Sequence, residues 1–241
     1  MNKQHVQVPN NLGEIGNIKP KDQYVYAAIK QFMNKDTKEA FPSLETLHKL
    51  TSISINTLRK CIDNLVRYGF LEVRKEGRKN IYKFLKYDKF EPFSYEFIKK
   101  KDLDVNEKSY LIASQKYMFK ENGEGKISMT NKELSSKINM SESTISKINK
   151  SLVNKDYATI VQTKSRDPET GLYINEKFYH LTKLEQAIVF ILKNHEDRIT
   201  ENTEDIKQLK EANKSLQKDL QIALKRLSEL EKQKDKDNYS L

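Results

Sequence analysis

The sequence predicts a mainly α-helical fold with small β-hairpins: two copies of one unit of three helices and a hairpin, then a long C-terminal helix. Three observations lead to it. The pattern of residues 19–86 returns, loosely, in residues 103–183. Within each copy a serine-capped third helix precedes a basic turn. Finally, apolar residues hold a seven-residue phase from Leu192 to Leu230. The expected organisation is a flexible arm (1–18), a first unit (19–86), a linker (87–102), a second unit (103–183), a coiled-coil helix (184–233) and a frayed tail (234–241).

The repeat keeps a constant offset of 87 residues: Leu47 aligns with Leu134, Ser54 with Ser141, Leu58 with Ile145, Leu65 with Leu152 and Phe70 with Tyr157. Its first helix is marked by Tyr24, Val25, Ala28, Ile29 and Phe32 in one copy, and by Tyr110, Leu111, Ala113, Ser114 and Tyr117 in the other. That spacing gives one buried face. The second helix starts at Ser43 and at Thr130, where Thr130-Asn131-Lys132-Glu133 has capping-box spacing. Ser54 and Ser141 then cap the third helices, whose apolar positions include Leu58, Cys61, Ile62 and Leu65 in the first copy.

The polar face left on the third helix carries Asn56, Thr57, Arg59, Lys60 and Asn64, and in the second copy Ser143, Thr144, Ser146, Lys147 and Lys150. Gly69 suits a left-handed helix terminus, and Phe70-Leu71-Glu72-Val73 then reads as a strand. A hairpin turn bearing Arg74, Lys75, Arg78 and Lys79 follows, with Lys164 and Arg166 in the matching turn of the second copy.

The stretch from Phe41 to Leu71, with Phe41-Pro42-Ser43-Leu44, Asn56-Thr57-Leu58-Arg59-Lys60 and Gly69-Phe70-Leu71, resembles the winged helix-turn-helix family of phage and plasmid replication and regulatory proteins. The resemblance spans residues 19–86; the second copy departs from it, lacking the Pro-Ser start and replacing Gly69-Phe70 with Asp156-Tyr157. It implies two tandem winged helix-turn-helix domains. It also implies contact with double-stranded DNA through the third helix and the wing, a polar helix face reading the major groove while basic wing residues meet the backbone.

In the tail, Leu192, Ile199, Ile206, Asn213, Leu220 and Leu227 occupy a positions, and His195, Asn202, Leu209, Leu216, Ala223 and Leu230 occupy d positions. Ile at a with Leu at d suits a parallel two-stranded coil, and one Asn at a fixes register. The chain is therefore expected to form a parallel coiled-coil homodimer.

Charge is uneven along the 241 residues: residues 1–183 hold 33 Lys/Arg against 22 Asp/Glu, and residues 184–241 hold 11 against 12. A basic front half on a near-neutral tail favours a polyanionic partner. No apolar run approaches the roughly 20 residues of a membrane span, and the N-terminus lacks a signal-peptide core, so a cytoplasmic, membrane-free protein is expected. One cysteine, Cys61, excludes an intrachain disulfide. With no phosphate-binding glycine loop and no metal-ligand spacing, the expectation is a non-enzymatic protein without metal or cofactor. Regulation of transcription is the expected role. Origin-binding replication initiation, or assembly through the coil on a DNA anchor, are the alternatives, each with replication or transcription proteins as further partners.

Overall fold

The structure, a computed structural model, describes residues 5–77, 79–85, 89–121, 123–166, 171, 173–184, 202–222 and 224–225. Residues 1–191 form one compact unit and residues 192–241 a second. Helices and sheets share the first unit, which carries more strand than hairpin wings alone would supply.

The chain opens with β1 (His5–Pro9) and a 3-10 turn (Asn10–Gly13), followed by α1 (Pro20–Lys30), β2 (Glu39–Ala40), α2 (Leu44–Thr51) and α3 (Ile55–Arg67). A hairpin of β3 (Leu71–Glu76) and β4 (Lys79–Phe84) comes next, then β5 (Phe90–Ser94) and α4 (Tyr95–Lys99). The second half contains α5 (Val105–Ser114), β6 (Phe119–Glu121), β7 (Glu124–Met129), α6 (Asn131–Ile138), α7 (Glu142–Asn154), β8 (Ala158–Arg166) and β9 (Tyr173–His180).

Both halves place the strand before the second helix against the second strand of the hairpin, giving sheet orders β2-β4-β3 and β7-β9-β8, with β6 added at the edge of the latter. All pairings are antiparallel. Short cap and periodicity signals place the helices. Ser43, Ser54, Thr130 and Ser141 each accept a backbone N–H three residues on. At Thr130 only the threonine half of the expected box forms, since Glu133 pairs with Lys137 at 3.6 Å instead. Phe32 lies beyond α1 and is exposed, and Tyr117 sits in a 3-10 turn, so neither completes the helical face expected of it.

Two expectations of domain organisation are corrected. The arm of residues 1–18 is, from His5, a strand paired with β5 in the register His5↔Ser94 to Pro9↔Phe90. Val6, Val8 and Leu12 are buried, and burying each such side chain is worth about 1.5–3 kcal/mol. The linker of residues 87–102 supplies β5 and α4, with Phe93, Phe97 and Ile98 buried. The two halves are therefore not separate beads: α1 packs along α5, and one hydrophobic cluster runs through both.

Two buried carboxylates fix the third helices. Asp22, at the third position of α1, accepts the Lys19 N–H (2.9 Å) and the Asn64 side-chain amide of α3 (3.3 Å). At the same place on α5, Glu107 accepts the Asp104 N–H (2.7 Å), the Ser151 hydroxyl (2.6 Å) and the Lys155 ammonium (2.7 and 2.8 Å). Cys61 is buried beside Asp22; burial first, and that carboxylate second, push its thiol pKa up, which keeps it protonated.

Of the helix expected over residues 184–233, Leu184 lies in a turn, residues 202–222 and 224–225 are helical, and the rest lies outside the described residues. Along it Ile206, Leu209, Leu216, Leu220, Ile222 and Leu224 are all exposed, and Asn213 lies between. Leu192, Ile199, Leu227 and Leu230 lie outside the described residues.

Replacing Glu107 with Ala is expected to cost about 2–4 kcal/mol in urea denaturation, since it strands the Asp104 N–H, Ser151 and Lys155 together. Glu107→Gln should recover part of that loss by retaining an acceptor; equal stability of Glu107→Ala and the parent would remove the carboxylate from the framework.

Candidate nucleic-acid interface

The three-residue turn Ser52-Ile53-Ser54 joins α2 to α3, and its geometry is set internally. Ser52 adopts a left-handed φ of 60°, Ile53 is buried, the Thr51 hydroxyl accepts the Ile53 N–H (3.2 Å), and His48 Nδ1 lies 2.8 Å from the Ile53 carbonyl. Leu58, Cys61, Ile62 and Leu65 face the core. The opposite face of α3 exposes Asn56, Arg59, Lys60 and Asp63, and Arg59 donates to the Asn56 side chain at 3.4 Å.

Two residues expected on that face are otherwise engaged. Asn64 is half-buried and its amide is tied to Asp22, because its position on α3 faces the start of α1. Thr57 is half-buried too, its hydroxyl 2.9 Å from that of the capping Ser54. Asp63 is the residue the sequence reading passed over; the i, i+4, i+7 spacing of Asn56, Lys60 and Asp63 could have revealed it.

Strand alternation sorts the hairpin cations. Lys75 shares the Leu71 and Val73 side of β3 and lines an open groove against α3, together with Arg59, Ile62, Asp63, Val73 and Asn80. Arg74 points the other way and pairs with Glu39 of β2 at 3.2 Å, so part of its charge is already met within the fold. Lys79 is exposed beside the turn, where Gly77 takes a φ of 58°; Arg78 lies outside the described residues.

In the second half, Asn139 (φ 54°) closes α6 and the turn Asn139-Met140-Ser141 leads into α7. Ser143, Ser146, Lys147 and Lys150 are exposed on α7, while Thr144 is half-buried with its hydroxyl 2.7 Å from that of Ser141. Ser146 accepts a bond from the Asn131 amide at 3.2 Å, which binds α7 to the start of α6. Asp156 takes the left-handed position (φ 59°) that Gly69 fills in the first half (φ 73°), and Tyr157 N–H reaches Leu152 O just as Phe70 N–H reaches Leu65 O. The same helix ending is thus reached without glycine.

The second hairpin is longer and bulged between Gln162 and Arg166. Lys164 is exposed. Arg166 lies over the Tyr173 ring at 4.5 Å and donates to its hydroxyl at 3.1 Å, so it is held against the hairpin's own surface. Behind α7, the Tyr179 hydroxyl donates to buried Asn149 (3.2 Å) and lies 2.6 Å from that of Tyr110.

Among the described residues no group of three His, Cys, Asp or Glu side chains could hold a metal, and no helix is long and apolar enough to cross a membrane. Residues 16–71 match a family model described as a helix-turn-helix domain. The match spans α1, α2 and α3 and ends at the first residue of β3. A search of curated proteins returns no match to the chain. Residues 16–71 are thus similar to a helix-turn-helix domain, a kind of unit that commonly sets its second helix in the major groove of DNA.

Arg59→Ala and Asn56→Ala should each cost about 1–3 kcal/mol on a preferred duplex while sparing random DNA, measured by fluorescence anisotropy. Equal losses on both duplexes would remove base readout. Lys75→Ala should instead weaken both alike and flatten the salt dependence by about one unit.

Proposed function

We propose that the protein is a non-enzymatic, sequence-specific binder of double-stranded DNA that carries two winged helix-turn-helix heads and dimerises through its C-terminal helix. The observation that carries this reading is the exposed set Asn56, Arg59 and Lys60 on a capped helix inside the matched helix-turn-helix domain. Asn and Arg offer bidentate bonds to adenine and guanine edges, and Lys75 across the groove from α3 offers a phosphate contact.

The second head is supported by the recurring order of helices and hairpin, by the matching strand orders of the two antiparallel sheets and by the exposed Ser143, Lys147 and Lys150 of α7. Dimerisation is supported by Ile206, Leu209, Leu216 and Leu220, which keep a/d spacing around Asn213 and are 52–69% exposed. A second copy would cover that stripe, in parallel. Two linked chains gain affinity through effective concentration rather than through new contacts.

Regulation of transcription in the cytoplasm is the role this symmetry suits best, since a dimer matches an inverted repeat. Replication initiation is the second reading, favoured by the packing of α1 on α5, which joins both heads into one body suited to adjacent repeats. Both readings imply contacts with transcription or replication proteins, as does the third, assembly through the coil on a DNA anchor.

Selection of bound sequences from random duplexes separates the readings: an inverted repeat supports regulation, tandem direct repeats support initiation, and no enrichment removes specific binding altogether. In sedimentation the full chain should be a dimer at micromolar concentration, and truncation after residue 191 should leave a folded monomer that binds more weakly. A monomeric full chain, or a truncation that binds as tightly, would take dimerisation out of the mechanism.

A further inference from the structure

The run Lys99-Lys100-Lys101 lies in what the sequence presents as a linker, where a solvated charge run is the ordinary expectation. In the fold it forms one wall of an open cleft. The end of α2 with the turn residue Ser52 also lines it, contributing Lys49, and the start of α5 adds Val105 and the buried Lys108. Five lysines from α2, α4, the connector and α5 thus line the cleft, of which Lys49, Lys99 and Lys101 are exposed. The carboxylate lining the cleft, Asp104, is committed to α5 as its N-cap, accepting the Asn106 and Glu107 N–H groups at 2.7 and 2.8 Å.

The cleft is built rather than fluid. Lys108 is buried and donates to the Ile98 carbonyl at 2.9 Å, which ties α5 to the end of α4, and burial lowers its pKa to about 8. Beyond α4 the connector is fastened to the end of α7: Lys100 lies over the Tyr157 ring (5.2 Å), Lys155 donates to the Asp102 carbonyl (2.7 Å), and the Tyr157 hydroxyl donates to the Asp102 carboxylate. Lys49, Lys99 and Lys101 remain exposed. Ser52 stands two residues before the Ser54 cap of α3, so the cleft begins where the readout helix begins.

We propose that this cleft holds the phosphodiester backbone of the DNA next to the segment read by α3, making the connector a further point of contact with DNA beside α3 and the first wing. The proposal rests on the DNA-binding reading above. An open groove lined by exposed lysines from separate elements suits a continuous polyanion, because each ammonium that neutralises a phosphate releases counterions. Such contacts fix register without reading sequence.

The test is the full chain carrying Lys49→Gln, Lys99→Gln and Lys101→Gln; all three side chains are exposed, Lys99 lying over the Tyr95 ring of its own helix (5.8 Å), whereas Lys100 is spared because it is half-buried and ties the connector to Tyr157. A matching thermal melt establishes that the triple variant is folded. Binding to a duplex of about 30 base pairs, long enough for three helical turns, is followed between about 50 and 200 mM salt. The expected result is a salt slope lower by about two to three units, with the ratio of specific to random binding unchanged. A slope equal to the parent's, with Lys75→Ala still losing about one unit, would overturn the cleft as a backbone site and leave the DNA-binding reading standing. If the parent chain itself binds neither the selected nor the random duplex at about 50 mM salt, the DNA-binding reading falls and takes this proposal with it.

Discussion

A carboxylate buried at the third position of a helix does two jobs at once in this protein, and the presentation of both exposed helix faces depends on it. Asp22 and Glu107 satisfy the backbone donors that α1 and α5 would otherwise leave open at their starts, and they also take hydrogen bonds from α3 and α7. Such a group cannot shift without leaving a buried charge unpaired, which is far more costly than losing a surface contact. The rotation of α3 about its own axis is set by two constraints: the apolar face of Leu58, Cys61, Ile62 and Leu65, and the bond from Asn64 to Asp22. With those satisfied, Asn56, Arg59 and Lys60 point outward.

The two halves reach the same outcome with different chemistry. Asn64 of α3 has Ser151 as its counterpart in α7, where Lys155 adds a charge to the carboxylate. Gly69 has Asp156 as its counterpart, in the same left-handed conformation. Hydrogen-bond roles and backbone angles are kept where residue identity is not, which explains why the repeat is plain in its spacing and faint in its letters. Between the halves, the packing of α1 on α5 and the pairing of β1 with β5 convert an apparent arm and an apparent linker into shared structure. The ion pair of Lys120 with Glu91, at 2.6 Å, joins β6 to β5, so the second half is bound to this added sheet as well.

Electrostatics then divides the basic residues into those spent on the fold and those left for a partner. Arg74 meets Glu39 and Arg166 meets Tyr173, whereas Lys60, Lys75 and Lys79 lie exposed on or beside the face of α3 and its groove. A net charge of +10 says that a polyanion would be attracted. It does not say which cations would meet it.

What the sequence determined by itself is whatever is encoded within a few residues: the serine and threonine caps of α2, α3, α6 and α7, the 3.6-residue apolar spacing of the helices, and the glycine-bounded basic turn of the first hairpin. Caps and periodicities act over one or two helical turns, so adjacent letters suffice to read them. The heptad phase of the tail is equally legible, and Ile206, Leu209, Leu216 and Leu220 are exposed on the described helix with that spacing. Only the tertiary structure decided that Asn64 turns inward, since its partner Asp22 lies 42 residues away. It alone made residues 5–9 a strand, because a five-residue segment with two buried valines becomes one only when Phe90–Ser94 lies beside it. Likewise, Lys49 and Lys101 are far apart in the chain and line one cleft only once α2 and the α4–α5 connector have packed. Contacts of that kind depend on loop closure and shared burial, which no local run of residues specifies.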